Sequence, residues 1–265
     1  MTVQQRNPQE KTPRKSSLST RVFLAFAVVA ACAFVSDTAL AARAEYRLST
    51  RLELRDNLPY SPDTYIAGFP FLAVLVTDKV PRVGVQVLDV PVEGFGLINA
   101  SAEAFDIEIS GAQVLAANFT GGEAAMTRRR VRLDGVAFGE LLGMTDLDIA
   151  NPYDMSPLGG VASEARLTGT VPGAQEPSTV VVTLRLEQGV FHMRPSKLID
   201  VPTTDTQKVL AAFTFERDTR DLPLGGPADL VQLSGGSIEF SRDRINVTLR
   251  PEDLTPLAAD KQPAT

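Results

Sequence analysis

The chain has 265 residues, of which 44% are hydrophobic and 22% charged, and its formal net charge is -6. This composition is typical of a chain that folds around a core, and its acidic balance argues against nucleic acid as a partner. The single cysteine, Cys32, and the single histidine, His192, exclude a disulfide framework and leave too few ligands for a zinc site. We therefore expect no cofactor and no metal.

The N-terminal segment carries the clearest local signal. A basic lead ends at Arg21, and residues 22–35 are 14 uninterrupted apolar residues. That length is typical of the hydrophobic region of a signal peptide and is short for a membrane span, which takes about 20 residues. Counting on to Ala42 gives 21 residues, so an uncleaved anchor fits as well.

Three outcomes for this segment remain open. Small-residue cleavage patterns end at Ala41 and Ala44, and residues 29–32 resemble a bacterial lipobox that would lipidate Cys32. All three outcomes export the body of the chain, because the basic charge lies on the N-terminal side. We expect residues 1–44 to be a signal peptide or membrane anchor, and the body to be extracytoplasmic, either tethered or secreted.

The body begins with an alternating pattern and an apolar stretch. Residues 45–55 alternate with period two, which predicts a half-buried strand, although no proline or glycine excludes a helix. After a turn region comes "YIAGFPFLAVLV", residues 65–76, which carries no charge. Gly68 ends a short strand there, and Pro70 is placed to begin a short helix that is apolar on nearly all sides.

Beyond Lys79 the pattern indicates a series of strands with one apolar face each. Asp134 is placed to cap a short helix, Gly189 is expected to shift the register of one long strand or make a bulge, and residues 241–244 are expected to turn between the last two strands. We expect an α+β, β-rich fold in which a long, curved antiparallel sheet wraps around an apolar helix, with a single domain over residues 45–254 and a flexible tail over 255–265.

The sequence offers few candidates for catalytic residues. His192 is best explained as a strand residue, and the glycine pairs are turn signals without the lysine of a phosphate loop. A glycan hydrolase would need two carboxylates that face each other across a cleft, and solvated loops explain the available acidic groups better. Those groups are Asp146, Asp148 and Asp154 in one segment and Glu216, Asp218 and Asp221 in another. We expect no enzymatic activity.

An arginine cluster is the densest positive charge of the body. Arg128, Arg130 and Arg132 share one face of a strand, and Arg129 points to the other face with Val131. The solvent face of a strand explains the cluster, and a contact with lipid phosphates is the functional alternative.

The apolar segment at residues 68–72 favours a lipid site when it is combined with export and with amphipathic strands. The same segments resemble the LmeA family, an actinobacterial cell-envelope family of phospholipid-binding proteins, over about residues 44–249. They are "YIAGFPFLAVLVTDKVPRVGVQVLDVPV", "VRLDGVAFGELLG", "GVFHMRP" and "DLPLGG". The resemblance implies a TULIP-like fold, no catalytic residues, and a role in maintaining envelope lipids and mannan-containing glycolipids.

These observations predict an exported, membrane-associated protein that holds phospholipid acyl chains in an apolar groove, with phospholipid and membrane as its partners. The expected lipid-binding residues are Phe69, Phe71, Leu72, Leu75, Val83, Val85 and Val87. Arg128, Arg130 and Arg132 are at most a secondary head-group contact. The alternatives are an extracytoplasmic glycan hydrolase and a non-enzymatic scaffold that docks envelope proteins through its sheet edges.

Overall fold

The computed structural model describes residues 18–56, 58, 60–92, 94–152, 163–202 and 205–257. The helices are α1 (Leu18–Asp56), α2 (Val74–Thr77), α3 (Gly111–Leu115), α4 (Gly135–Leu142) and α5 (Thr206–Ala212), with 3-10 turns at Phe71–Ala73, Thr219–Asp221 and Pro251–Leu254. The strands are β1 (Asp63–Ile66), β2 (Lys79–Val92), β3 (Gly96–Glu108), β4 (Glu123–Leu133), β5 (Asp148–Ala150), β6 (Glu164–Gly169), β7 (Ser178–Glu187), β8 (Val190–Asp200), β9 (Phe215–Asp218), β10 (Leu230–Ser234) and β11 (Ser237–Thr248).

The strands form two antiparallel sheets. The six-stranded sheet has the order β1-β2-β3-β4-β11-β10, and the five-stranded sheet has the order β5-β6-β7-β8-β9. The α+β, β-rich class expected from the sequence is confirmed, with the strands divided between two sheets. The helix that packs against the six-stranded sheet is the second half of α1, which shares an apolar cluster with β2 and β3.

The strand predicted over residues 45–55 is wrong, because these residues continue α1. The buried positions are Ala44, Leu48 and Leu52, spaced by four, while Tyr46 and Leu54 are exposed. Positions four apart lie on one face of a helix, so the buried stripe fits a helical period. The alternation predicted a strand because Leu48 and Leu52 fit both a period of two and a helical spacing of four.

Two further expectations about turns are also wrong. Gln188 and Gly189 form a two-residue hairpin turn between β7 and β8, with φ angles of 54° and 85°, instead of a bulge in one long strand. This is the turn whose backbone twist matches that of the flanking strands. Residues 241–244 lie inside the continuous strand β11, and the last hairpin turn is at Gly235 and Gly236.

The interior contains two apolar clusters. We call the first the α1 cluster; it contains Leu48 and Leu52 of α1 with the strand residues Val83 and Val85. The second, the intersheet cluster, lies between the two sheets and is built around aromatic side chains such as Phe191, which meets Phe240 edge to face at 5.0 Å.

A buried polar layer lies between the two clusters. Along β3, Ala100 belongs to the intersheet cluster and Ala104 to the α1 cluster, while Ala102 between them belongs to neither. Ala102 pairs with Arg129 of β4, which is only 9% exposed and donates to the backbone oxygen of Glu252. The prediction that Arg129 points away from its neighbouring arginines is confirmed.

Local signals at the ends of elements were informative. The side chain of Asp134 accepts from the backbone N–H of Ala137 at 2.9 Å, which confirms it as the N-cap of α4. At the C-terminal end, Thr255 is buried and Leu257 packs against the intersheet cluster, so these two residues belong to the folded body. The rest of the expected tail, residues 258–265, lies outside the described residues.

Candidate lipid-binding site at the base of the long helix

The helix α1 has two different halves. From residue 21 to residue 36 every side chain is exposed, including Phe23 at 72% and Phe26 at 72%, and from Asp37 onward one face is packed against the body. Within the described residues this helix, over Arg21–Arg55, is long and apolar enough to cross a membrane by length and composition. The exposed half therefore extends beyond the packed body.

Asp37 connects this helix to the apolar segment at residues 68–76. Its carboxylate is 5% exposed and accepts from the backbone N–H groups of Phe71 at 2.9 Å and Leu72 at 2.7 Å. Those groups begin the 3-10 turn Phe71–Ala73, where the N-cap residue Pro70 offers no side-chain acceptor. Backbone donors at the start of a helical turn need a partner when they are buried, and Asp37 supplies it from the neighbouring helix.

The chain before this turn follows α1 in the opposite direction. Ser49 donates to the backbone oxygen of Pro62 at 2.6 Å, and the Oε1 atom of Glu45 accepts from the N–H of Ile66 at 2.9 Å. These contacts are spaced along α1 toward Asp37, so the helix supports the whole segment that leads to Phe71.

The segment is held at its other end by α3. The Oδ1 atom of Asp78 accepts from the N–H of Gly111 at 2.9 Å. A Cβ atom on Gly111 would lie 2.7 Å from the Cα atom of Leu75, so the glycine allows α3 to approach the backbone of α2. The segment is thus fixed between Asp37 and Asp78.

The predicted site residues fall into three environments. Phe71, Val83 and Val85 are buried together in the α1 cluster. Val87 is buried in the intersheet cluster and is separated from them.

The remaining predicted residues lie toward the surface. Phe69 is 79% exposed and Leu75 is 45% exposed, while Leu72 is half-buried. The ring of Phe69 meets that of Phe34 on α1 at a centroid distance of 6.1 Å. The exposed residues of the segment therefore lie beside the exposed half of α1.

The described pockets at the two apolar clusters are small. A pocket that reaches the aromatic side chains of the intersheet cluster measures about 10 Å³. A shallow groove of about 140 Å³ lies over Leu48, Leu52, Phe119 and Leu254 of the α1 cluster, with Arg51 among the residues at its edge. Pockets for small molecules measure about 300–1,000 Å³. A lipid chain at either place would therefore have to separate residues that are in contact here.

The predicted arginine face is present and internally neutralised. The guanidinium groups of Arg128, Arg130 and Arg132 share one face of β4 and pair with carboxylates of neighbouring strands. The pairs are Arg128 with Asp243 at 2.5 Å, Arg130 with Glu103 at 2.7 Å and Arg132 with Glu239 at 2.5 Å.

The bond between Arg128 and Asp243 has electrostatic consequences. The hydrogen bond from the Arg128 guanidinium holds the pKa of Asp243 below its ordinary value, and the same bond raises the pKa of Arg128. A polar cleft of about 250 Å³ lies beside this face and includes Arg130 and Arg132 in its lining. Its lining is mixed, because Tyr65, Val85 and Ala100 lie among the polar and charged residues.

The acidic groups considered for a hydrolase hold local structure. Asp146 accepts from the N–H and hydroxyl groups of Thr170, and these bonds lower its pKa. Asp218 accepts from the N–H of Arg220, which lowers its pKa in the same way. Asp154 lies outside the described residues.

The single histidine also has a strand-to-strand contact. The Nδ1 atom of His192 lies 3.1 Å from the Oε2 atom of Glu216 across the β8–β9 pair, as expected for a half-buried strand residue. Within the described ranges, no group of three or more histidine, cysteine, aspartate or glutamate side chains could hold a metal ion.

Sequence reasoning missed three residues of this region. Asp37, Phe34 and Val76 are absent from the predicted site. The available signal for Asp37 was a carboxylate next to a long apolar run, because such a group is usually paired and functional. Val76, at 87% exposed, lies in the same charge-free stretch as the predicted residues.

The comparison with protein families identifies the chain. The family model described as LmeA-like phospholipid-binding matches residues 35–241, which includes Asp37, the 68–76 segment and most of both sheets. No curated protein and no solved structure matches the chain significantly. The matched range covers most of the sequence, and the chain belongs to the LmeA-like phospholipid-binding family.

Proposed function

We propose that this protein is exported, remains tethered to the membrane through α1, and holds phospholipid acyl chains at the 68–76 segment, where it serves the maintenance of cell-envelope lipids and lipoglycans. The observation that carries the proposal is the pair of hydrogen bonds from Phe71 and Leu72 to Asp37. They join the membrane-compatible helix to the apolar segment, in a chain whose family binds phospholipid.

The energetics favour an apolar site beside a membrane. Each methylene removed from water contributes about 0.8 kcal/mol, so a 16-carbon chain contributes roughly 12 kcal/mol. A lipid that leaves a bilayer loses this amount unless a protein surface covers the chain. Polar head-group contacts are worth about 1 kcal/mol each near a charged surface and can only adjust the choice of lipid.

The proposed site has an entrance and a lining. Phe69, Leu72 and Leu75 lie at or near the surface and form the entrance, while Phe71 faces Val83 and Val85 in the α1 cluster and forms the lining. An acyl chain enters by moving the 68–76 segment away from β2. The internally paired arginine face lies outside this site in the proposal.

The proposal includes an uncleaved N-terminal anchor. Cleavage after Ala41 or Ala44 would cut inside a continuous helix and would remove Asp37. It would also remove Leu40 and Ala41, which pack against the α1 cluster. The match to the family model begins at residue 35, upstream of both cleavage patterns.

The anchor is tested by the intact mass of the full chain recovered from a bacterial membrane fraction. We expect the mass of the uncleaved chain. A new N-terminus at Cys32, Ala42 or Glu45 on the functional protein would contradict the uncleaved anchor.

The lining is tested by a matched pair of variants, Phe71→Leu and Phe213→Leu. Both phenylalanines are buried, one in the α1 cluster and one in the intersheet cluster. Because both substitutions remove the same atoms from a packed core, we expect similar losses of stability. Only Phe71→Leu is expected to change the amount of labelled phospholipid that the full chain takes up from vesicles. Equal uptake by the two folded variants and the unchanged protein would place the site elsewhere.

A further inference from the structure

The apolar run of α1 is too short to cross a bilayer by itself. At 1.5 Å per residue, the 14 residues from 22 to 35 extend about 21 Å, while the hydrocarbon core is about 30 Å thick. A span of about 20 residues that begins at Val22 ends at Ala41. Such a span places Asp37 at the membrane boundary, where its carboxylate is already bonded to Phe71 and Leu72.

The residues of the segment near Asp37 are uncharged and apolar enough to lie at the same depth in the membrane as Asp37. Residues 64–77 carry no charged side chain. Phe69 is 79% exposed, Leu75 is 45% exposed and Val76 is 87% exposed. Phe69 lies against Phe34 of α1, so the apolar surface of the segment is continuous with that of the helix.

Charged groups return where the segment ends. Lys79 pairs with Glu108 at 3.0 Å, and Asp78 accepts from Gly111. On α1, Arg43 is the first exposed charged side chain after Asp37. The apolar surface is thus bounded by charge on the side of the body, as expected for a surface that enters a bilayer only to a limited depth.

We infer that the 68–76 segment inserts into the leaflet through which α1 leaves the membrane, as a wedge beside the helix, and that Asp37 sets its depth. The wedge supplies the apolar surface that the short helix lacks. This inference rests on the proposed function, in which α1 is a membrane anchor. Its consequence is that lipid enters the site directly from the leaflet that holds the protein, without crossing water.

The absence of tryptophan from the chain allows a clean test. Phe69→Trp and Val76→Trp are prepared in the full chain, with Tyr60→Trp as a control at a residue that is 70% exposed beside the far end of α1. Each variant is reconstituted in nanodiscs that contain phosphatidylcholine brominated in its acyl chains. We expect loss of most of the emission at positions 69 and 76 and almost no loss at position 60.

A second arm separates insertion from lipid binding. The same variants are loaded with brominated phosphatidylcholine in detergent and then moved into unbrominated nanodiscs, so that only bound lipid can quench. Insertion predicts much weaker quenching at Val76→Trp in this arm. Three results would overturn the wedge. In the first arm, these are no quenching at position 69 or 76, or quenching at position 60 as strong as at those positions. The third is quenching at position 76 that is equally strong in both arms. Phospholipid that remains bound to the chain in detergent, detected by native mass, would leave the proposed function standing.

Discussion

At the level of single residues, the side chain of Asp37 on α1 is the one that binds the apolar segment at Phe71 and Leu72. Its carboxylate is buried and receives two backbone N–H groups at the start of the turn Phe71–Ala73, where the N-cap residue Pro70 has no acceptor to offer. Hydrogen bonds to a charged group contribute more than neutral ones, and a buried donor that loses its partner retains its desolvation cost. The position of the segment should therefore be sensitive to this one side chain.

We predict that Asp37→Ala lowers the free energy of unfolding by about 2–3 kcal/mol, since two charge-assisted bonds are lost. The amides of Phe71 and Leu72 should exchange with deuterium faster in the variant than in the unchanged protein. Asp148→Ala, at an exposed aspartate of β5, is the matched control and should change neither quantity. Unchanged exchange at both amides in Asp37→Ala would contradict the proposed contact.

Asp243 gives a prediction about pH. Because the Arg128 bond lowers the pKa of Asp243 in the folded protein, its ionised form stabilises the fold above the ordinary value of 3.8, and this contribution is lost as the pH falls through the lower folded value. Asp243→Asn should therefore cost up to about 1 kcal/mol at pH 7, because the pair is partly exposed and screened by solvent. The difference should shrink as the pH falls below 3.8.

Unfolding curves of both proteins from pH 7 to strongly acidic solution measure this difference. In an Arg128→Gln background, Asp243→Asn should have a much smaller effect at every pH. A difference that stays constant across the range would argue against the carboxylate as its source.

At the level of elements, the sequence predicted what depends on near neighbours. The cap at Asp134, the short helical turn after Pro70 and the strand around Val83 and Val85 all follow from local chemistry or period. Each has its partner within a few residues or shows its pattern over one short segment. The strand prediction for residues 45–55 was wrong for a different reason. Leu48 and Leu52 fit both the period of a strand and the spacing of a helix face, and only their packing in the α1 cluster selects the helix.

The charged run at 241–244 shows what local chemistry cannot supply. It resembles a turn, but two of its three charges have partners elsewhere in the fold. Asp243 pairs with Arg128 and Arg244 with Asp253, while Arg242 lies against Gly226, where a Cβ atom would collide with the guanidinium. Arg128 and Asp243 are more than a hundred residues apart in the chain, so the sequence alone could not show that the run continues a strand.

The site itself was predictable in part. The charge-free stretch drew attention to the right segment, but the sequence could not show that Val87 belongs to a different cluster from Val83 and Val85. The division lies at the polar layer around Arg129, which donates to the backbone oxygen of Glu252 in the C-terminal turn Pro251–Leu254. The role of Asp37 was hidden because its two partners are backbone groups more than 30 residues away.

The β7–β8 hairpin is tested by a matched pair of glycines. Gly189 has φ +85° and a Cβ atom there would lie 2.8 Å from the Cβ atom of Pro227, whereas Gly121 has φ +83° and open space around it. Gly121→Ala should cost about 1–2 kcal/mol from the left-handed backbone alone. Gly189→Ala should cost about 1–3 kcal/mol more from the collision. The measurement is the midpoint and free energy of chemical unfolding of both variants. Equal losses in Gly121→Ala and Gly189→Ala would contradict the packing of Gly189 against Pro227.

At the level of the whole molecule, the protein joins an apolar helix, an apolar segment and a closely packed β-rich body. The described pockets at the two apolar clusters have free volumes of about 140 and 10 Å³, so in our proposal an acyl chain displaces packed residues of the 68–76 segment. Asp37 bonds to Phe71 and Asp78 bonds to Gly111, so two carboxylates hold the segment against α1 and α3. We propose that phospholipid binding, the property of the family, takes place at this surface beside α1.

The most direct test is native mass spectrometry of the full chain, purified from a bacterial membrane in detergent and followed by solvent extraction of the lipid that it carries. We predict a population with about one phospholipid per chain, as a single acyl-chain site requires, and loss of that population in Phe71→Leu but not in Phe213→Leu. A mass without lipid, with no uptake after incubation with phospholipid vesicles, would contradict phospholipid binding by this protein.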